Sequence, residues 1–305
     1  MNSPHKLAPI LLFVYNRIDC LEKSIGSVKK AFLADESELI IYADCARNEE
    51  DEKKVALVRE YVKKINGFKN ITIFEQSQNL GLAKSIILGV TETLNKYDKV
   101  IVLEDDIIVS PYFLKYMNSA LDLYENSDTV VNINAYIPDS PLRFKENFMV
   151  SYISSLGWAT WRRGWELFEE NGEKLLEIIQ KEKREKEFNL GWRFTQMLKD
   201  QIAGKNNSWA IRWNASVFVN NKTSYTVNSS IVKHIGNGED ATHCKTIYMF
   251  PTELYSEEII PSYIENHSEN KKARAKLRFN FAVRTSKINK LRLYIALYIK
   301  RFFAK

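Results

Sequence analysis

Apolar residues in this chain come in short unbroken runs separated by amphipathic stretches. PILLFVY (9–15), LIIYA (39–43), ITIF (71–74) and VIVL (100–103) carry many β-branched residues with no polar alternation, as strands covered on both faces do. Between them, residues 20–33, 49–65 and 82–94 repeat apolar positions at three- and four-residue spacing, which predicts helices. Strands alternating with helices give an α/β fold with a doubly wound, mostly parallel sheet. Ligands of such sheets sit beyond the carboxyl ends of the strands. There the chain places Asn16 and Arg17, Asp44, Glu75 and Gln76, and the triplet Glu104, Asp105 and Asp106.

The triplet is the sharpest chemical signal. In VIVLEDDIIVS (100–110) three acids interrupt an apolar run that reads as one buried strand, so they belong at or just past its end. An ionised carboxylate left unpaired in such a place costs several kcal/mol, which demands a cation, hydrogen-bond donors or protonation. Hard oxygen ligands suit Mg2+ or Mn2+, and Mg2+ is commonly held by one or two carboxylates together with substrate phosphates. A solvated acidic turn is the plain alternative.

The second half has a different texture. All six tryptophans lie between 158 and 213. SSLGWATWRRGWELF sets Trp158, Trp161 and Trp165 at helical spacing, and Trp209 and Trp213 are four apart. Such planes can pack against sugar rings or can fill a core. Residues 173–188, dense in Lys, Arg and Glu, read as an exposed helix. The expected divisions are 1–135, 136–265 as a second half of the same domain, and a tail from 266 to 305.

Charge separates that tail from the rest. Net charge is +6, yet residues 271–305 hold twelve Lys or Arg and no acid, leaving 32 bases against 38 acids elsewhere. The longest apolar run in the tail, 293–299, is far short of the roughly 20 residues needed to cross a bilayer. A basic amphipathic segment lying on an anionic membrane is therefore expected, in preference to a nucleic-acid arm. Cys20, Cys45 and Cys244 show no paired spacing, which argues against disulfides and zinc and for a reducing, cytoplasmic setting.

Other chemistries drop out. The first glycine is Gly26, inside a predicted helix, so neither a dinucleotide fingerprint nor a P-loop follows the first strand. No HxxxH or HxH pair and no GxSxG elbow occurs. Arg17 can neutralise a phosphate, Asp44 can accept from a base or ribose, and a metal on Asp106 can bridge a diphosphate.

Taken in order, VYNR, YADCAR, NLGLAKS, VIVLEDDIIVSPYFLKYM and SSLGWATW resemble bacterial glycosyltransferases of the GT-A fold found in surface-polysaccharide pathways. They are also remotely similar to the Golgi N-acetylglucosaminyltransferase that initiates complex N-glycans. The resemblance spans about residues 8–250 and implies an inverting transferase using a nucleotide-sugar donor, a UDP-sugar by the Asp44 match. It implies that Asp106 coordinates Mn2+ or Mg2+ with the donor diphosphate. It further implies that Glu104 and Asp105 order the nucleoside site, that Asp44 pairs with the base, that Arg17 contacts the nucleotide, and that Lys84 meets the donor at a helix start. The expected acceptor is a glycan or lipid-linked sugar at the cytoplasmic face of the membrane, with no nucleic acid involved.

Two departures stand out. YADCAR has Cys45 and Ala46 where relatives carry a glycine after the aspartate, and SWAIRW has Ala210 and Ile211 where the Golgi enzyme has its catalytic acids. The general base must then come from elsewhere. Asp200 is the first candidate, Glu239 and Asp240 are the second, and His243 is a candidate for reaching the metal or diphosphate. Loss of the base would leave a non-catalytic glycan- or nucleotide-binding protein, and a sugar-phosphate nucleotidyltransferase is a third reading.

Overall fold

A computed structural model describes residues 6–138, 142–236 and 253–285. The first half alternates as its pattern predicts: β1 (Ile10–Val14), α1 (Ile18–Val28), β2 (Glu38–Ala43), α2 (Glu49–Val62), β3 (Asn70–Glu75), α3 (Gly81–Leu94) and β4 (Lys99–Glu104). Alternate residues of each strand feed different cores, as covering on both faces requires. Ile10, Leu12, Val14, Leu39 and Ile41 point into one, while Leu11, Phe13, Ile40 and Tyr42 point into the other.

After β4 the chain departs from the expected single strand. The acids form a turn, and Ile107–Val109 is a separate strand, β5. There follow α4 (Phe113–Leu123), β6 (Val130–Asn134), β7 (Phe148–Val150), β8 (Trp158–Trp161), α5 (Arg162–Trp165), α6 (Gly172–Lys181), α7 (Glu185–Asn189), α8 (Phe194–Ile202), α9 (Trp209–Val219), β9 (Thr223–Thr226), β10 (Val232–His234) and α10 (Lys271–Thr285). One sheet runs in the order β3-β2-β1-β4-β8-β6-β9-β7, and among the described residues β5 pairs only with β10. β3, β2, β1 and β4 are parallel to one another, whereas β8 lies antiparallel between β4 and β6. The sheet crosses the expected boundary at 135 without a break, so the halves are sections of one sheet.

Five of the six tryptophans are buried, and Trp192 is partly so. Trp158 and Trp161 sit on a strand, not on the helix their spacing suggests, and Trp165 ends the short helix that follows. Trp158, Trp165, Trp209 and Trp213 form one buried cluster, with Trp158 stacked on Trp209 at 5.2 Å between ring centres and Trp165 edge-on to Trp213 at 5.2 Å. Buried in this way, they offer no platform to a sugar. Residues 173–188 are likewise more than an exposed helix, since Leu175, Ile179 and Phe188 anchor α6 and α7 in a third core.

That third core also takes the start of the tail. Ala273, Leu277 and Phe281 of α10 pack into it, so the residues up to 285 are part of the fold. The run 293–299 lies outside the described residues. Among the described residues, no helix is long and apolar enough to cross a membrane.

Candidate active site

The ends of β1, β4 and β10 converge on the acid turn. Beyond β1, Arg17 donates to Asp105 Oδ1 at 2.5 Å and lies 3.0 Å from Asp106 Oδ2. β10 runs antiparallel to β5, with His234 opposite Ile107. That pairing brings His234 Nε2 to 3.0 Å from Asp106 Oδ2, and Ile235 donates its backbone N–H to the Asp106 carbonyl at 2.9 Å. Gly236 follows so closely that a Cβ there would lie 2.2 Å from Asp106 Oδ2 and 2.8 Å from Arg17 Nη1.

The turn is a strained electrostatic object. Burial, then the neighbouring Asp106 and Asp105, push the Glu104 carboxyl up to about 8. Burial also raises Asp105, to about 6, because it outweighs what Arg17 returns. Asp106 goes the other way: burial opposes its charge, but the bonds from His234 and Arg17 win and hold it below the usual carboxylate value. The Arg17 guanidinium pays a burial penalty that the charges of Asp105 and Asp106 exceed, which raises its pKa. Two ionised carboxylates thus face one guanidinium, leaving negative charge for a divalent cation to take.

The donor set fits such an ion. A carboxylate oxygen and an imidazole nitrogen 3.0 Å apart have the spacing of adjacent ligands around an octahedral ion with bonds of about 2.0–2.1 Å. Among the described residues, no group of three His, Cys, Asp or Glu forms a fuller ligand set. Mg2+ is ordinarily held by one or two carboxylates with waters and substrate phosphates, and Asp106 supplies such a carboxylate.

At the end of β2, Asp44 is saturated by its own chain. Its oxygens accept from Cys45 N at 2.9 Å, Leu80 N at 2.9 Å, Gly81 N at 2.9 Å and Asn79 Nδ2 at 3.2 Å. The carboxylate therefore ties the β2 loop to the start of α3. Neither Cys45 nor Ala46 takes a positive φ, so this loop closes without the glycine that relatives have. Glu75 is occupied structurally, 2.8 Å from Lys63 Nζ. Arg59 bridges the ends of β2 and β3 by donating to the carbonyls of Asp44 at 3.2 Å and Gln76 at 2.6 Å.

Arg17, Glu104, Asp105 and Asp106 thus come together as expected, with Asp44 beside them on the neighbouring strand end. Lys84 is exposed on the first turn of α3. Asp200 is elsewhere: on α8, it accepts from Gln196 at 3.0 Å and lies 4.0 Å from Lys205 Nζ. Among the described residues, no hydrogen bond or ion pair links it to the acid turn. Glu239, Asp240 and His243 lie outside the described residues. Among the described residues, the histidine that reaches Asp106 is His234, unnoticed in the sequence although SIVKHIG carries a legible signal: a short apolar run ending in His and Gly. Asp51 was missed too; on α2 it accepts from Tyr15 Oη at 2.7 Å and Asn16 Nδ2 at 2.8 Å.

A mostly parallel sheet with an antiparallel strand beside β4, and an acid turn closing β4, is the GT-A class of glycosyltransferase fold. Residues 10–189 match Glycosyl transferase family 2, and the chain belongs to that family. No curated protein matches the sequence. Among solved structures, the crystal structure of S. aureus TarS is 17% identical with a TM-score of 0.36, covering 51% of this chain and 28% of that one. The mannosyltransferase PcManGT from Pyrobaculum calidifontis, in complex with GDP-Man and Mn2+, is 16% identical with a TM-score of 0.37, covering 55% of this chain and 49% of that one. The chain spans less than half the length of either, and likeness of this degree says nothing about its own donor.

Proposed function

We propose that the chain transfers a sugar from a UDP-sugar to a glycan or lipid-linked acceptor in surface-polysaccharide synthesis. The reaction requires Mn2+ or Mg2+ and inverts the anomeric carbon. The observation that carries this reading is the convergence of Arg17, Asp106 and His234 at the ends of β1, β4 and β10. Asp106 and His234 hold the cation, which when bound supplies positive charge to the departing diphosphate. Arg17 balances Asp105 and offers its remaining N–H groups to phosphate oxygens. Asp44 fixes the β2 loop and the start of α3, between which the nucleoside lies.

A carboxylate must take the proton of the acceptor hydroxyl. Asp200 remains a candidate, but its bonds are to its own helical layer. Glu239 and Asp240, which follow Gly236 within four residues, are now the stronger pair. The acceptor is met peripherally at the cytoplasmic membrane face, in keeping with the basic tail.

Thermal melting with UDP and UDP-sugars, with and without Mn2+, tests the reading. Selective binding at about 100 times Kd stabilises a fold by about 2.7 kcal/mol, so a rise of several degrees that needs both nucleotide and metal is expected. Asp106→Asn should lose that rise and the release of UDP. Unchanged metal-dependent stabilisation in this variant would overturn the assignment.

A further inference from the structure

α10 has two faces. On one, Ala273, Leu277 and Phe281 fill the third core, with Phe281 5.4 Å from Tyr152 and 5.9 Å from Phe194 between ring centres. On the other, Lys271, Lys272, Ala275, Arg278 and Phe279 are exposed, Phe279 to 47%. Since the apolar side is already used by the fold, the outward stripe is not a core surface waiting for its complement. It is a row of cations around an aromatic ring.

The surroundings leave that charge in place. Two acids beside the helix have partners off the outward stripe: Glu187 pairs with Arg184 at 3.0 Å, and Glu269 with the helix's own half-buried Arg274 at 2.6 Å. Two further cations extend the patch. Exposed Arg143 lies beside the helix because its carbonyl accepts from Lys276 Nζ at 3.2 Å. Exposed Arg193 follows Gly191, where a Cβ would sit 2.3 Å from the Arg278 carbonyl oxygen. The sequence continues the bias, with twelve Lys or Arg and no acid over 271–305.

We infer that the outward stripe of α10 seats the protein on an anionic lipid surface. Phosphate is common to lipid headgroups and nucleic acids, but an exposed Phe among the cations, followed in sequence by LRLYIALYIKRFF, suits the headgroup and acyl boundary, where rings bury and cations stay wet. This inference deepens the proposed membrane placement. Its test uses neither donor nor acceptor, so failure would leave the transferase assignment standing.

The full chain is sedimented with vesicles of phosphatidylcholine alone or mixed in equal parts with phosphatidylglycerol. Binding to the mixed vesicles only, weakening as salt rises, is expected. Lys272→Glu with Arg278→Glu should lower partitioning about tenfold or more, and Phe279→Ser should lower it further, with the melting temperature unchanged because these side chains are exposed. If the charge reversal perturbs folding, Lys272→Ala with Arg278→Ala should shift partitioning the same way. Equal binding to neutral vesicles, tighter binding to duplex DNA than to mixed vesicles, or loss of binding only on Lys290→Glu with Arg292→Glu would each overturn the stripe as the docking surface.

Discussion

Asp106 is held by two side chains, and the glycine packed beside it has none. Arg17 and His234 each stand 3.0 Å from its Oδ2, while Gly236 leaves no room for a methyl group beside that same oxygen. Gly236→Ala must therefore displace the carboxylate, the guanidinium or the strand end, and overpacking of this kind costs about 1–3 kcal/mol. We expect Mn2+ affinity, read by the paramagnetic resonance of free ion, to fall about tenfold or more while the sheet stays folded. An alanine variant that binds Mn2+ as the parent does would mean that this segment does not shape the site.

At the scale of elements, α2 matters for what its first turn holds. Asn48 caps it by accepting from Asp51 N at 3.0 Å, which leaves the Asp51 carboxylate to receive Tyr15 and Asn16 from the β1 loop. The Tyr15 bond is the largest influence on Asp51, burial opposes it, and the net effect is to lower its pKa. That contribution to stability is present at neutral pH and is lost as pH falls through the carboxylate range. Because the next residue in this loop is Arg17, Asp51 acts as a positioning residue for the phosphate-facing guanidinium. Asp51→Asn should raise the donor KM about tenfold with kcat little changed, and adding Asn16→Asp should recover much of it by reversing the bond. If the paired exchange is no better than the single variant, the loop is not positioned through this contact.

Across the whole molecule, the sheet decides how the chain behaves. β8, from the second half, is hydrogen-bonded on both sides, to β4 of the first half and to β6, and one core cluster draws on residues from both halves. Neither half can shed its partner without exposing strand edges and apolar surface. Chemical denaturation should accordingly give coincident transitions by tryptophan fluorescence, which reports only the second half, and by far-ultraviolet circular dichroism, which reports both. Two separated transitions would show that the halves are independent units.

The first four strands, the three helices between them and the acid cluster at a strand end were legible because each rests on local pattern: unbroken apolar runs, helical spacing, and charge where none should be buried. Arg17, Asp44 and the triplet follow from the same rule, since they stand at strand ends. What the sequence could not supply was pairing across long separations. Helical spacing misled at Trp158 and Trp161 because a strand between two others also buries every side chain. His234 escaped notice because it reaches Asp106 through the register of β10 on β5, strands more than a hundred residues apart in sequence. Local chemistry wrote the strands and the charge; the choice of which distant residues close over that charge belongs to the tertiary fold, because contact there depends on sheet register and not on neighbouring sequence.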